Sequence, residues 1–300
     1  MPARRSRRRS GESPALPDGR PAVVAHRGSS ELKAEHTLGA YVAALEEGAD
    51  ALECDVRLTA DGHLICAHDR DLRRTGSSDG LISTTDLASL DQLDFARWKE
   101  DPLPASQRGP WQPPPHGGVE LARLDEEQDD LDKVLPLRRL LETVADYPRR
   151  VELAIETKHP TRFGGLVEKR LVDLLDDFGW AGVDSPVRVM SFSWVALRRV
   201  ERLAPDLDVV FLLDSPGEWY RARPLAGRHW IAGPGIKVLR KHPDAVRRIG
   251  RSARLHCWVV NTEEDVELCA DLGVEALISD RPGQILRYLE RDGAGPAPGP

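Results

Sequence analysis

Short apolar runs rich in β-branched residues recur along the chain, separated by longer stretches whose apolar residues return at helical spacing. The runs fall at 22–25, 51–56, 151–155, 187–191, 209–213, 230–236, 256–260 and 276–278. Segments with helical spacing lie between most of them, at 37–47, 137–145, 163–178, 194–203, 243–251, 263–272 and 284–289. Strands that alternate with helices predict a parallel sheet. The runs are apolar nearly throughout rather than alternating, which predicts a sheet covered on both faces. Eight such strands favour a closed (β/α)8 TIM barrel over an open doubly wound sheet. No G-x-G-x-x-G turn follows the first run, which argues against dinucleotide binding.

One further run, 63–67, follows Thr59-Ala60-Asp61-Gly62, a tight-turn signal. It is expected to double back on the second strand and to bring His68 level with Asp55. Residues 76–134 then form an excursion between the second and third barrel strands, rich in Pro, Gly and acidic residues. Its apolar residues, among them Leu81, Ile82, Leu90, Phe95, Trp98 and Trp111, are expected to pack a small lid on the catalytic face. Residues 1–20, with Arg4, Arg5, Arg7, Arg8 and Arg9, and residues 292–300 read as disordered ends, so the folded unit is expected to span 21–291.

Composition narrows the function. The 300 residues carry a net charge of -7, which argues against a general nucleic-acid surface and confines any such contact to the basic arm. Prolines interrupt the segment after that arm, so it lacks the apolar core of an export signal, and no run reaches the length of a membrane span. A cytoplasmic location is therefore expected. Cys54, Cys66, Cys257 and Cys269 form no CxxC pair and are expected to be free, buried thiols. Oligomeric state has no signature in the sequence.

The chemistry-bearing residues cluster where strands are expected to end, the catalytic face of a barrel. Glu53 and Asp55 are two apart on a strand and share a face, which turns Cys54 away into packing. Two adjacent carboxylates in an apolar barrel repel one another unless a cation or a shared proton holds them; salt bridges to Arg27, Arg57 or Lys158 are the alternative. Glu156 ends another apolar strand, with Lys158 two further on the same face, while Glu152 shares that parity at the opposite end and is expected at the surface. All-oxygen ligands predict one divalent cation, Mg2+ or Ca2+, rather than zinc. His26 and His68 supply groups that titrate near neutrality, and the planar fork of Arg27 suits a phosphate.

Taken together, His26-Arg27-Gly28, Ala34-Glu35-His36-Thr37, Glu53-Cys54-Asp55-Val56, Asp61-Gly62, His68-Asp69, Glu156-Thr157-Lys158, Trp258-Val259-Val260-Asn261-Thr262 and Ser279-Asp280-Arg281-Pro282 resemble, in order, the glycerophosphodiester phosphodiesterase family. The resemblance implies a TIM barrel and a divalent metal on Glu53, Asp55 and Glu156, with Glu35 in support. It implies His26 and His68 as acid and base, and Arg27 and Lys158 as phosphate contacts. Trp258 and Asn261 match a late segment and are carried over as candidate substrate contacts. The second motif departs from the usual Pro-Glu-Asn-Thr, with Ala34 and His36 in place of Pro and Asn. The expected reaction is metal-dependent hydrolysis of a glycerophosphodiester, a small-molecule substrate, to sn-glycerol 3-phosphate and an alcohol. Two alternatives remain: cleavage of a lipid phosphodiester, as by a lysophospholipase D, and noncatalytic binding of a phosphate ligand.

Overall fold

The structure, a computed structural model, describes residues 19–99 and 131–293. Residues 1–18, most of the 105–132 stretch with Trp111, and 294–300 lie outside the described residues. The chain begins with strand β1 (Ala22–His26), helix α1 (Leu38–Glu46), β2 (Ala51–Leu58) and β3 (Leu64–Cys66). The excursion then carries a 3-10 turn at Ile82–Thr84 and the short α2 (Leu87–Leu90). The alternation that follows is α3 (Leu137–Ala145), β4 (Glu152–Thr157), α4 (Leu166–Asp177), β5 (Val187–Ser191), α5 (Trp194–Leu203), β6 (Asp208–Leu213) and α6 (Pro216–Ala222). β7 (Trp230–Pro234), α7 (Ile236–Lys241), α8 (Pro243–Gly250), β8 (His256–Trp258), α9 (Glu263–Asp271), β9 (Ala276–Ser279) and α10 (Pro282–Gly293) complete it.

Hydrogen bonding joins the parallel strands in the order β7-β6-β5-β4-β2-β1-β9-β8. Parallel bridges Ala232–Leu255 and Gly235–Trp258 bring β7 beside β8, so the barrel is nearly closed. Neighbouring residues along each strand separate into two apolar layers. Val24, Ala51, Ala154, Met190 and Ile231 fill the barrel; Val23, Leu52, Cys54, Leu153 and Val189 pack outward against the helices. Burial on both faces is the reason the strands read as unbroken apolar runs. All four cysteines are free and buried.

Several boundaries move. The expected strand 230–236 stops at Pro234, because Gly235 caps α7 and Ile236 is already helical. α6 and α7 were not among the expected helices, although Ser215 and Glu218 form a capping box before α6. α10 continues through Gly293, past the expected end at 291. At the floor of the barrel Glu152 is not a free surface group: it pairs with the buried Arg188, whose guanidinium also lies 3.5 Å from His256 Nε2.

β3 is the expected hairpin return. It pairs antiparallel with β2 in the register Val56–Cys66 and Leu58–Leu64, outside the ring of staves. The backbone N–H of Ala67 donates to the Asp55 carbonyl at 2.8 Å, which brings the neighbouring His68 level with Asp55. Beneath the excursion, Ile65, Leu72, Ile82, Leu90, Phe95 and Val134 form a separate small core. That core packs the described part of the excursion against the β3 hairpin.

Candidate active site

Glu53, Asp55 and Glu156 project from β2 and β4 into the mouth of the barrel, where they offer ligand atoms within 4.8 Å of one another. All three are buried. Burial and the charge of Asp55 push Glu53 well above the ordinary carboxylate range. The same two causes, against the pull of Lys158, push Glu156 up to about 8. Asp55 stays well below its ordinary value despite burial, because His36 hydrogen-bonds to it and Lys158 and Arg27 lie close. Asp55 Oδ1 accepts no hydrogen bond, although Lys158 Nζ stands 3.0 Å away. An oxygen-only set of crowded carboxylates, two of them short of countercharge, suits one hard divalent cation.

Two cations flank the group. Lys158 Nζ lies 2.9 Å from Glu156 Oε1, and Arg27 Nε lies 3.1 Å from Asp55 Oδ2. Arg27 sits in left-handed backbone at φ 59°, and its N–H reaches Glu53 Oε2 at 3.0 Å. The next residue, Gly28, has φ 85°, and a Cβ there would stand 2.6 Å from the Ala40 carbonyl carbon. Only glycine lets the chain turn this tightly against α1, and the turn aims Arg27 at the carboxylates.

Both candidate histidines lie at the mouth. His26 Nδ1 lies 2.6 Å from Asp280 Oδ1, and its Nε2 is 4.0 Å from Glu53 Oε2. With a carboxylate on Nδ1, that nitrogen carries the proton and Nε2 is left with its lone pair. His68 Nδ1 is likewise engaged by Asp69 Oδ1 at 2.8 Å. Burial, with Arg27 and Lys158 nearby, holds His68 below the ordinary imidazole value.

Other sequence candidates take different places. Glu35 lies outside the carboxylate group: Arg27 Nη1 takes its Oε1 at 3.1 Å, and Arg74 takes both oxygens at 2.6 and 3.0 Å. Those bonds outweigh burial and hold Glu35 down at about 2, a permanent anion that braces Arg27. Its neighbour His36 reaches the group instead, with Nε2 2.9 Å from Asp55 Oδ2 and Nδ1 2.9 Å from the Tyr41 hydroxyl. Asn261 Nδ2 donates to Asp280 Oδ2 at 2.7 Å, and its Oδ1 accepts the Asp280 N–H at 3.0 Å. It therefore acts on Asp280. Trp258 donates from Nε1 to the Gly233 carbonyl at 2.8 Å and meets Phe192 edge to face at 5.4 Å.

Asp280 is the main residue that sequence reasoning did not single out. It also accepts from the Ser30 hydroxyl at 3.0 Å, and these bonds overcome burial to keep it ionised. The available signal was the motif Ser279-Asp280-Arg281-Pro282 at the end of an apolar run; β9 pairs Ser279 with Ala25, which sets Asp280 beside His26. Arg57 was considered only as an ion-pair partner for the carboxylates; instead its Nε and Nη2 donate to the His68 carbonyl at 2.9 and 2.6 Å.

The family model for the glycerophosphoryl diester phosphodiesterase family matches residues 26–284. A probable glycerophosphodiester phosphodiesterase 1 of Mycobacterium tuberculosis is 40% identical over 278 residues, covering 91% of this chain and 93% of that one. A glycerophosphodiester phosphodiesterase of Bacillus subtilis is 30% identical over 269 residues, covering 87% of this chain and 83% of that one. The structure of an Oleispira antarctica phosphodiesterase in complex with sn-glycerol-3-phosphate has the same fold, with a TM-score of 0.71 at 24% identity, covering 90% of this chain and 97% of that one.

Proposed function

This chain belongs to the glycerophosphoryl diester phosphodiesterase family, and from that premise we propose that it hydrolyses glycerophosphodiesters to sn-glycerol 3-phosphate and an alcohol, with a divalent metal and with His26 and His68 as acid and base. By reaction class it is a phosphoric diester hydrolase. The observation that carries the reading is the meeting of three buried carboxylates between Arg27 and Lys158, with two carboxylate-braced histidines at the same mouth.

Glu53, Asp55 and Glu156 would hold one Mg2+ or Ca2+. Bound there, such an ion supplies Lewis acidity that lowers the pKa of a coordinated hydroxyl and offsets negative charge on the phosphoryl group. Arg27 and Lys158 are held in place by their carboxylate partners and bind the non-bridging phosphate oxygens. One imidazole takes the proton of the attacking oxygen while the other gives a proton to the departing alcohol. Attack by the glycerol 2-hydroxyl gives a cyclic phosphate that water opens with the histidine roles reversed; attack by water gives the product in one step. Phosphorus NMR of the reaction separates the two courses. Trp258 supplies an apolar wall, Asn261 steadies Asp280, and Trp98 and Lys99 of the described part of the excursion border the site.

One observation favours a lipid substrate as the second reading. Phe192, Trp194 and Val195 are exposed beyond the outer end of β5, with Phe192 against Trp258, where an acyl chain would find apolar contact. Among the described residues no helix is long and apolar enough to cross a membrane. The test is release of glycerol 3-phosphate from glycerophosphocholine and glycerophosphoethanolamine, and of choline from lysophosphatidylcholine, with Mg2+, Ca2+ or EDTA. Metal-dependent glycerol 3-phosphate release that is lost in His68→Ala supports the reading. Binding of the diesters without turnover under either metal leaves a noncatalytic ligand-binding barrel.

A further inference from the structure

Beyond the outer ends of β2 and β4, the two strands that carry the three carboxylates, lies a cavity of about 240 Å³. Its lining includes Arg57 from β2, Arg70, Ser83 from the 3-10 turn, and Lys158, Thr161 and Arg162 from the segment that follows β4. Four of the lining side chains are cationic and none is anionic. Lys158 is paired with Asp55 and Glu156. The other three make no ion pair with a described carboxylate: Arg57 donates to the neutral carbonyl of His68, Arg162 lies over the Phe163 ring, and Arg70 is exposed at the rim.

Lys158 lines this cavity and pairs with Asp55 and Glu156, so the cavity adjoins the carboxylate group through that side chain. A second cavity, of about 390 Å³, lies by His26, Arg27 and Asn261. Its lining mixes signs, with Glu31, Glu35 and Asp280 beside Lys99 and Arg281. Mixed acceptors and donors suit the hydroxyls of glycerol. The cationic cavity offers guanidinium forks and hydroxyls, which suit a carboxylate or a phosphate. A diester has two arms, and the two cavities differ in the chemistry that would receive them.

We propose that the cavity lined by Arg57, Arg70, Lys158 and Arg162 is the alcohol subsite, and that it selects diesters whose alcohol carries an anionic substituent. The proposal rests on the phosphodiesterase reading. Two matched pairs isolate the substituent: glycerophosphoserine against glycerophosphoethanolamine differs by one carboxylate, and glycerophosphoinositol 4-phosphate against glycerophosphoinositol differs by one phosphate. With the metal-loaded full chain, the expected result is a kcat/KM at least about tenfold higher for the anionic member of one or both pairs, the scale of one charge-assisted hydrogen bond. In the Arg70→Gln, Arg162→Gln double variant, which alters only exposed side chains, that ratio falls toward one. No preference in either pair, a preference that survives the double substitution, or an equal loss for both members overturns the proposal. Failure to cleave any diester would instead sink the phosphodiesterase reading. The same pairs measured by calorimetric binding would then decide the subsite, with equal Kd values within both pairs counting against it.

Discussion

Replacing Asp280 by Asn keeps the shape of the side chain and removes its charge. Its carboxylate accepts from His26 Nδ1 at 2.6 Å, Asn261 Nδ2 at 2.7 Å and the Ser30 hydroxyl at 3.0 Å. An amide has one acceptor oxygen, so either His26 or Asn261 then faces an NH2 group. If His26 does, its proton moves from Nδ1 to Nε2, which can no longer accept one. A hydrogen bond to a charged group contributes about 1.5–3 kcal/mol. If His26 is the base and that loss falls wholly on the transition state, in which it then carries positive charge, the rate falls by roughly 10- to 150-fold. The assay is release of glycerol 3-phosphate from glycerophosphoethanolamine at saturating Mg2+, with kcat and KM determined separately. The expected result is a kcat lower by about 100-fold with KM changed less than about threefold, because no phosphate contact is touched. Asn261→Ala, which removes one of several partners of Asp280, should cost about tenfold or less. A folded Asp280→Asn protein with kcat within twofold of wild type would refute both the role of His26 and the argument for its tautomer.

Glu35→Gln tests the brace behind Arg27. The folded carboxyl is depressed from 4.5 to about 2, so its contribution is full above pH 4.5 and is lost as pH falls toward 2. At about 1.4 kcal/mol per pH unit this amounts to at most about 3 kcal/mol, and less once the exposure of Arg74 is allowed for. Urea unfolding should show the variant about 2 kcal/mol less stable than wild type at pH 7, with the gap closing by pH 2–3; a gap independent of pH contradicts the assignment. Metal binding should expel a proton at neutral pH, because burial and Asp55 raise Glu156 to about 8 while a cation binds its ionised form. Calorimetry in buffers of differing ionisation enthalpy should report proton release at pH 7, from Glu156 and from the likewise raised Glu53, that diminishes as pH rises past about 8. Equal enthalpies in all buffers at pH 7 would show that the carboxylates do not share a proton. Gly28→Ala places a Cβ 2.6 Å from the Ala40 carbonyl carbon at φ 85°. It should cost about 2–4 kcal/mol in thermal or urea unfolding and depress activity through Arg27; a Tm within a degree of wild type would count against the close approach.

The alternation of strands and helices was legible in the sequence because it depends on neighbours along the chain. Side chains on a strand point alternately to opposite faces, so Glu53 and Asp55 had to share one side and Cys54 the other, wherever β2 came to rest. The hairpin from β2 to β3 was legible for the same reason, as the turn chemistry of Asp61-Gly62 fixes its register within a few residues. The carboxylate cluster needed one step more, the pairing of Asp55 with Glu156 across β2 and β4, and the family resemblance supplied it. Tertiary structure alone decided the partners of these residues. His26 and Asp280 are 254 positions apart and meet only because β1 pairs with β9 in the ring. Glu35 stands beside the carboxylates in sequence motif, yet two arginines from different loops claim it and leave His36 to touch Asp55. The cationic cavity likewise exists because the excursion folds Ser83 and Thr84 down against the segment after β4. Periodicity is local and can be read along the chain, whereas the pairing of loop side chains depends on how the barrel closes and where each loop is thereby set down.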